Sequence, residues 1–344
     1  MSSMAEPMET DLKKRRGEAT IGTHSGTFQC DEALGVWMLR QLPQWREAKL
    51  VRSRDLAVLQ PLDIVIDVGG VYDPAALRFD HHQRGFSETF DTCKFKRTKL
   101  SATGLVYKHF GKDVLRAMYP RELADSRWLD AAYGKLYGDM IEGVDAVDNG
   151  IEIADVMRYR EGTSLSSRVA RLNPRWNEQN VDAADEDARF EDASAMTGGE
   201  FKEQLAAIVE GWLPARDLVE KALLQRQSVS PSTAQVVCFE SGGMPWKGHL
   251  YELERLHGVM PLIKFVLYED GSGMWRVQAV TVEGTAFTNR LSLPEAWRGL
   301  RDAALSAASG IVDCKFCHAG GFIGGHANRE GALAMAHAAI KQGE

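Results

Sequence analysis

The run Asp63-Ile64-Val65-Ile66-Asp67-Val68 limits the fold more than any other stretch of the chain. Its centre is β-branched and apolar without alternation, the pattern of a strand buried on both faces, and such strands occur chiefly in parallel sheets covered by helices. The flanking sequence agrees. A strand ending in Ile21-Gly22-Thr23 precedes a helical pattern with Leu34, Trp37, Met38 and Leu42 at 3.6 spacing, and a further strand is expected around residues 49–52. Two long helical patterns follow at 101–118, with Ser101 as its cap, and at 128–147. The first domain therefore reads as α/β with a mostly parallel sheet.

From 182 to 227 the pattern is acidic, Ala-rich and helical. Strand patterns return after Pro231 at 234–239, 262–268, 275–282 and 315–318, with helices near 294–308 and 329–341. The expected organisation of the 344 residues is a disordered leader at 1–18, a catalytic domain at 19–180, a helical connector at 181–228 and a smaller α/β domain at 229–344. With 44% hydrophobic and 26% charged residues, the chain has enough apolar material for two cores.

A net charge of −7 argues against a protein that coats nucleic acid by bulk charge. No stretch approaches the roughly 20 apolar residues of a membrane span, so no membrane partner is expected. Five scattered cysteines suit a reducing compartment better than a disulfide framework. Cys314 and Cys317 lie three apart in an expected strand, where their side chains should face opposite ways, and there is no second such pair, so zinc is disfavoured. The acidic and then basic start, with Lys13-Lys14-Arg15-Arg16, lacks an apolar core and is not a secretory signal. An intracellular location is expected, nuclear or cytoplasmic ahead of mitochondrial.

Chemistry-bearing residues concentrate in three places. His24 to Glu32 lies between the first strand and first helix, at the strand's carboxyl end, where open α/β sheets bind ligands. His24 and Asp31 are ligand types, although Asp31 and Glu32 also suit the first turn of a helix, where acids complement the dipole. Asp67 ends the most hydrophobic strand, where an unpartnered acid is costly. Asp80-His81-His82 follows another short strand, and adjacent imidazoles are expected to point apart, one towards a metal and one towards substrate. Downstream, Glu142, Asp145 and Asp148 form a like-charge row that a cation would relieve. Hard carboxylates with imidazoles suit Mn²⁺ or Mg²⁺, and two such ions favour phosphoester hydrolysis.

These residues resemble the DHH phosphoesterases, called after the motif present here as Asp80-His81-His82, and within them the Myg-type exonucleases. The resemblance runs from about Ile21 to Lys341. It includes Ile21-Gly22-Thr23-His24, Val68-Gly69-Gly70, the stretches at 144–150, 167–174 and 294–302, and Gly321-Phe322-Ile323-Gly324-Gly325-His326. It implies two α/β domains with the active site in the cleft between them, and a metal-dependent nuclease removing nucleotides from RNA 3′ ends. Two metals, Mn²⁺ or Mg²⁺, are implied. His24 and Asp67 would hold one, and Asp31, Asp67, His81 and either Asp148 or Asp145 the other, with Asp67 bridging. His82 would face the scissile phosphate and Asp80 would orient the imidazoles. At Gln29 the chain departs from the pattern the resemblance implies, in which relatives usually carry His; a neutral amide is the weaker ligand, so the first metal is expected to be weakly held.

The resemblance also implies that Gly324, Gly325 and His326 form a substrate loop before the last helix, where backbone N–H groups meet an anion. Arg168 and Arg171 are candidate contacts to a nucleic-acid backbone. The expected partner is RNA or a short oligonucleotide. Two other readings stay open: a phosphatase or pyrophosphatase for a small substrate, and an RNA-binding protein with a degraded metal site.

Overall fold

The computed structural model describes residues 18–91 and 94–343. The basic tetrad, nearly all of the expected leader, and Cys93 lie outside the described residues. Two compact units divide at Val209 and Glu210, inside the segment expected to be a helical connector. Each carries a five-stranded mixed sheet.

In the first unit the strands are β1 (Thr20–Thr23), β2 (Lys49–Arg52), β3 (Ile64–Ile66), β4 (Tyr72–Asp73) and β5 (Arg78–Phe79), in the spatial order β2-β1-β3-β5-β4. The pairs of β1 with β2, β1 with β3 and β3 with β5 are parallel, and only the edge strand β4 is antiparallel. All three residues of β3 are buried, as their unbroken apolar run requires. Helix α1 (Cys30–Leu39) is buried along its whole length and packs against α3 (Ala102–Met118) and a 24-residue helix, Ala183–Ala206. The short α2 (Leu56–Leu59) follows β2, with Asp55 capping its start. Gly198 sits against the Trp37 indole, where a Cβ would come within 2.1 Å of the ring, so the close approach requires glycine.

The expected helix at 128–147 is three pieces: α4 (Ser126–Leu136), a π-helical turn (Tyr137–Ile141) and α5 (Glu142–Asp148). Ser101 precedes α3 but does not cap it through its side chain; its hydroxyl donates to Asp145 Oδ1 at 2.9 Å.

The second unit orders its strands β6-β7-β8-β10-β9, from β6 (Val236–Cys238), β7 (Phe265–Glu269), β8 (Trp275–Ala279), β9 (Cys314–Cys317) and β10 (Ile323–His326). Only β6 and β7 pair in parallel. A core of Phe265, Leu267, Val277, Trp297 and Met335 lies on one face, and a cluster including Val237, Val266, Trp246 and Leu250 on the other. Cys314 and Cys317 are both buried in the first of these cores, not on opposite faces, because the register between β9 and β10 shifts at Gly325 and His326. No helix among the described residues is long and apolar enough to cross a membrane.

Candidate metal centre

The carboxyl ends of β1, β3 and β5 deliver the site. Past β1 comes His24, past β3 comes Asp67 and past β5 comes Asp80-His81-His82, while α1 begins with Asp31 and Glu32 in its first turn. Parallel strands put these ends on one edge, the usual ligand crevice of such sheets. Asp67 has φ 57°, a left-handed backbone that is uncommon outside glycine, and Gly69 and Gly70 continue with φ 102° and 67°. This turn aims the Asp67 carboxylate back across the strand ends; strain of this kind concentrates at functional sites.

Potential ligand atoms gather in three sets: His24, Glu32 and Asp67; Asp31, His81 and Asp148; and Asp67, Asp80, His81 and His82. Asp67 links them. Its Oδ2 is 3.3 Å from His24 Nε2, and its Oδ1 is 3.7 Å from His81 Nδ1 and 3.6 Å from His82 Nδ1. His24 Nε2 also lies 3.2 Å from Glu32 Oε1, and His81 Nε2 lies 2.9 Å from Asp148 Oδ2. Both Asp31 carboxylate oxygens and Glu32 Oε2 are buried without a hydrogen-bond partner. Such orphaned anions cost several kcal/mol by general estimates unless a cation meets them. The donor set, carboxylates and imidazoles without thiolate, fits Mn²⁺ or Mg²⁺.

The electrostatics record the same crowding. Burial alone would lower the His24 pKa, but Asp67 and Glu32 outweigh it and raise it to about 10. Burial, eased by His24 but reinforced by Glu32, pushes Asp67 up to about 6. Asp31 is raised well above the carboxylate range by burial and then by Asp67, Glu32 and Asp148. A divalent cation must displace the protons these shifts hold, so its affinity rises with pH. Calorimetric Mn²⁺ titrations at pH 6 and pH 8 should therefore show tighter binding at pH 8, with net proton release. Equal affinity at both would contradict the raised pKa values of this cluster.

Asp80 is buried and fully engaged: Oδ2 accepts from the Gly70 N–H at 2.5 Å, and Oδ1 accepts from the His82 N–H at 2.9 Å and pairs with His82 Nδ1 at 2.8 Å. It thereby orients His82, whose side chain is 59% exposed and borders a cavity of about 450 Å³ with His24, Gln29, Arg54, Asp67 and Asp80. The two imidazoles do not point apart; their ring centroids are 4.0 Å from one another. A second cavity, about 270 Å³, shares Thr27 and Gln29 and is bounded by Asp31, Asp148 and Ser166. Gln29 thus borders both cavities, and its backbone N–H donates to Glu32 Oε1 at 2.8 Å.

The acidic row on α5 does not act together. Residues three apart rotate by about 60° relative to the helical repeat, so the row fans out. Glu142 accepts from Thr98, only Asp148 reaches His81, and Asp145 is withdrawn from the ligand sets. Asp145 instead accepts from the Ser101 N–H and hydroxyl through Oδ1 and from the Tyr137 hydroxyl through Oδ2. Of the two alternatives for the second metal, the structure brings Asp148. Asp145→Ala strands three buried donors and should cost about 3 to 5 kcal/mol of stability in urea unfolding. Burial raises the folded Asp145 pKa from 3.8 to about 7, against the Ser101 and Tyr137 hydrogen bonds. The native state therefore holds this proton more tightly than the unfolded chain, and stability falls as pH rises across that window. Asp145→Asn should remove that component; an unchanged pH profile would contradict the placement.

Arg168 and Arg171 flank this region, on and just after the helix Leu165–Ala170. Arg168 pairs with Glu200 at 3.4 Å and Arg171 donates to the Gly162 carbonyl at 2.9 Å; both are exposed. The same motif contains Asn173, which clamps both backbone groups of Phe28 and so fixes the loop ahead of α1.

Gly324, Gly325 and His326 are not in a loop. They form β10, an inner strand paired with β8 and β9, so their backbone groups belong to the ladder rather than to an anion. Gly325 faces Arg276 and Phe316, which a Cβ would strike at 2.6 Å. His326 is 3% exposed; its Nε2–H donates to the Val312 carbonyl at 2.6 Å and its Nδ1 accepts from the Asn328 N–H at 3.1 Å. His326→Ala should lower stability by about 2 to 4 kcal/mol in urea unfolding without altering Mn²⁺ affinity. Unchanged stability with lost substrate binding would restore the loop role.

Glu32 is the ligand candidate that sequence reasoning treated only as a dipole acid. A signal was present, since two acids open a helix that is otherwise apolar on every side.

Residues 20–340 match the family described as Uncharacterised protein family (UPF0160), MYG1_exonuc. The chain belongs to the MYG1 family. Among its relatives, the protein named MYG1 exonuclease from Mus musculus is 50% identical over 327 residues, 94% of this chain and 85% of the mouse chain. That of Homo sapiens, with the same name, is 48% identical over 343 residues, 98% and 89% of the two chains. The MYG1 protein of Dictyostelium discoideum is 45% identical over 328 residues, 94% and 97%. The family match spans both units.

Proposed function

We propose that this MYG1-family chain is a divalent-metal-dependent phosphodiesterase of the DHH type, an exonuclease that removes nucleotides from the 3′ end of RNA. The observation that carries the reading is Asp67, one buried carboxylate shared between two sets of ligand atoms whose neighbouring acids lack partners. The name MYG1 exonuclease, borne by relatives about as similar as half identity over most of the chain, supports the reaction class. Polarity and preference for RNA come from the resemblance of the motifs.

In this reading His24, Glu32 and Asp67 hold one cation, and Asp31, Asp67, His81 and Asp148 the other. When bound, two such ions supply an activated water and neutralise charge on the phosphate. The protein's own residues do the rest. His82 Nδ1–H donates to Asp80, so Nε2 is the ring nitrogen not engaged there, and it is the doubly protonated ring that would give its Nε2 proton to the departing oxygen, returning to the neutral form with Nδ1–H still on Asp80. Glu32 makes good the neutral Gln29, so the departure from the family does not empty the first site.

The test is a side-by-side assay of the full chain with Mn²⁺, using 5′-labelled RNA and inorganic pyrophosphate. Stepwise shortening of the RNA from its 3′ end, stopped by chelator, is expected. Faster turnover of pyrophosphate, or RNA binding with no metal-dependent shortening, would overturn the proposal.

A further inference from the structure

The larger cavity has one permanently charged cation on its wall, Arg54. Its position follows from the sheet. β1 and β2 run parallel with Thr23 opposite Arg52, so the residues just beyond the two strand ends, His24 and Arg54, come together. Arg54 Nε donates to the Ser25 carbonyl at 3.0 Å, and Nη2 lies 3.2 Å from His24 Nδ1. Among the described residues its guanidinium has no carboxylate partner, despite the acids in the same cavity. Arg52, two residues earlier, has both terminal nitrogens engaged: Nη1 pairs with Asp187, Nη2 donates to the Gly26 carbonyl, and the guanidinium lies over the Phe28 and Phe190 rings.

An exposed arginine held by Nε on one carbonyl, with one further contact from Nη2 to an imidazole, keeps most of its five donors for another acceptor. The contact with His24 does not use them up. A cation on His24 Nε2 leaves the ring proton on Nδ1, which then donates to the Ser25 carbonyl 3.3 Å away. Arg54 Nη2 would then face a donor and must turn to another acceptor. The planar guanidinium fork matches phosphate oxygens.

We propose that Arg54 is a catalytic residue of this site, the group that clamps a non-bridging oxygen of the scissile phosphodiester as charge develops on it. The inference rests on the phosphodiesterase reading and names the residue that recognises the substrate's phosphate. It assigns Arg54 a role separate from holding metal.

The test compares the full-length parent with Arg54→Ala and Arg54→Lys. Three quantities are measured: Mn²⁺ affinity by calorimetry, turnover of RNA, and binding of a fluorescein-labelled pentaribonucleotide with and without Mn²⁺. Arg54→Ala should keep parent Mn²⁺ affinity, lose turnover by roughly 10²-fold, and regain part of it with added guanidinium ion. Arg54→Lys should fall between, since it keeps charge but not the fork. Replacing the terminal linkage of the probe by an uncharged methylphosphonate should weaken binding to the parent but not to Arg54→Ala. Parent-like turnover and probe affinity in Arg54→Ala would overturn the clamp. So would loss that only tracks weakened Mn²⁺ binding, which would make Arg54 a positioning residue for His24. A parent that binds no Mn²⁺ sinks the phosphodiesterase reading instead, while the charged-versus-uncharged probe comparison still decides the clamp.

Discussion

Asp67→Asn abolishes metal-dependent hydrolysis, with an expected loss of at least roughly a thousandfold in turnover, or about 4 kcal/mol of transition-state stabilisation. The size follows from the position of the side chain. Asp67 faces His24 on one side and His81 on the other, so removing its charge weakens both sets of ligands at once. The fold should survive. Asn tolerates the left-handed backbone found there, φ 57°, and the Asp67 N–H bond to the Phe79 carbonyl is retained by any residue. Circular dichroism melts should match the parent, whereas calorimetry should show both Mn²⁺ ions weakened. Retained Mn²⁺-dependent turnover would remove the shared carboxylate from the account.

Glu32→Gln is expected to weaken one of the two Mn²⁺ sites by roughly 10- to 100-fold and to leave the other near its parent affinity. The substitution is chosen because Gln keeps an oxygen to accept the Gln29 N–H, so the start of α1 stays capped while the charge beside His24 is lost. In that background Gln29→His should restore part of the lost affinity, since imidazole is the better ligand for Mn²⁺. Two full-strength sites in Glu32→Gln would reduce Glu32 to a helix cap. Failure of Gln29→His to recover anything would take position 29 away from the metal.

The buried strand and the loop chemistry were legible in the sequence for a physical reason: an unbroken Ile/Val run has few places to go, and an acid at its end must meet a partner. β3 and the partnered Asp67 follow from that constraint, and Asp80-His81-His82 stood out separately as an acid and two adjacent imidazoles after a short strand. What was not legible depends on contacts distant in sequence. Spacing could not separate Asp145 from Asp148, because the distinction is made by Ser101 and Tyr137, which withdraw one carboxylate into the core. Glu32 looked like a dipole acid because acids in a first turn are common, although the all-round apolar sequence of α1 argues against an ordinary exposed cap. β10 read as a loop because the resemblance cast its glycines as backbone donors to an anion before the last helix, whereas their lack of side chains is what lets Phe316, Arg276 and Met335 close over the strand. The two imidazoles lie close together because Asp80 Oδ1 holds both the His82 N–H and its Nδ1, a local bond that residue type alone does not reveal.

The central claim is that Asp67 is shared by two cations, and anomalous diffraction from crystals of the full chain soaked in Mn²⁺ tests it most directly. Two anomalous peaks are predicted, one between His24, Glu32 and Asp67 and the other between Asp67, Asp31, His81 and Asp148. A single peak that leaves Asp67 unliganded, or manganese bound only elsewhere on the chain, would contradict it.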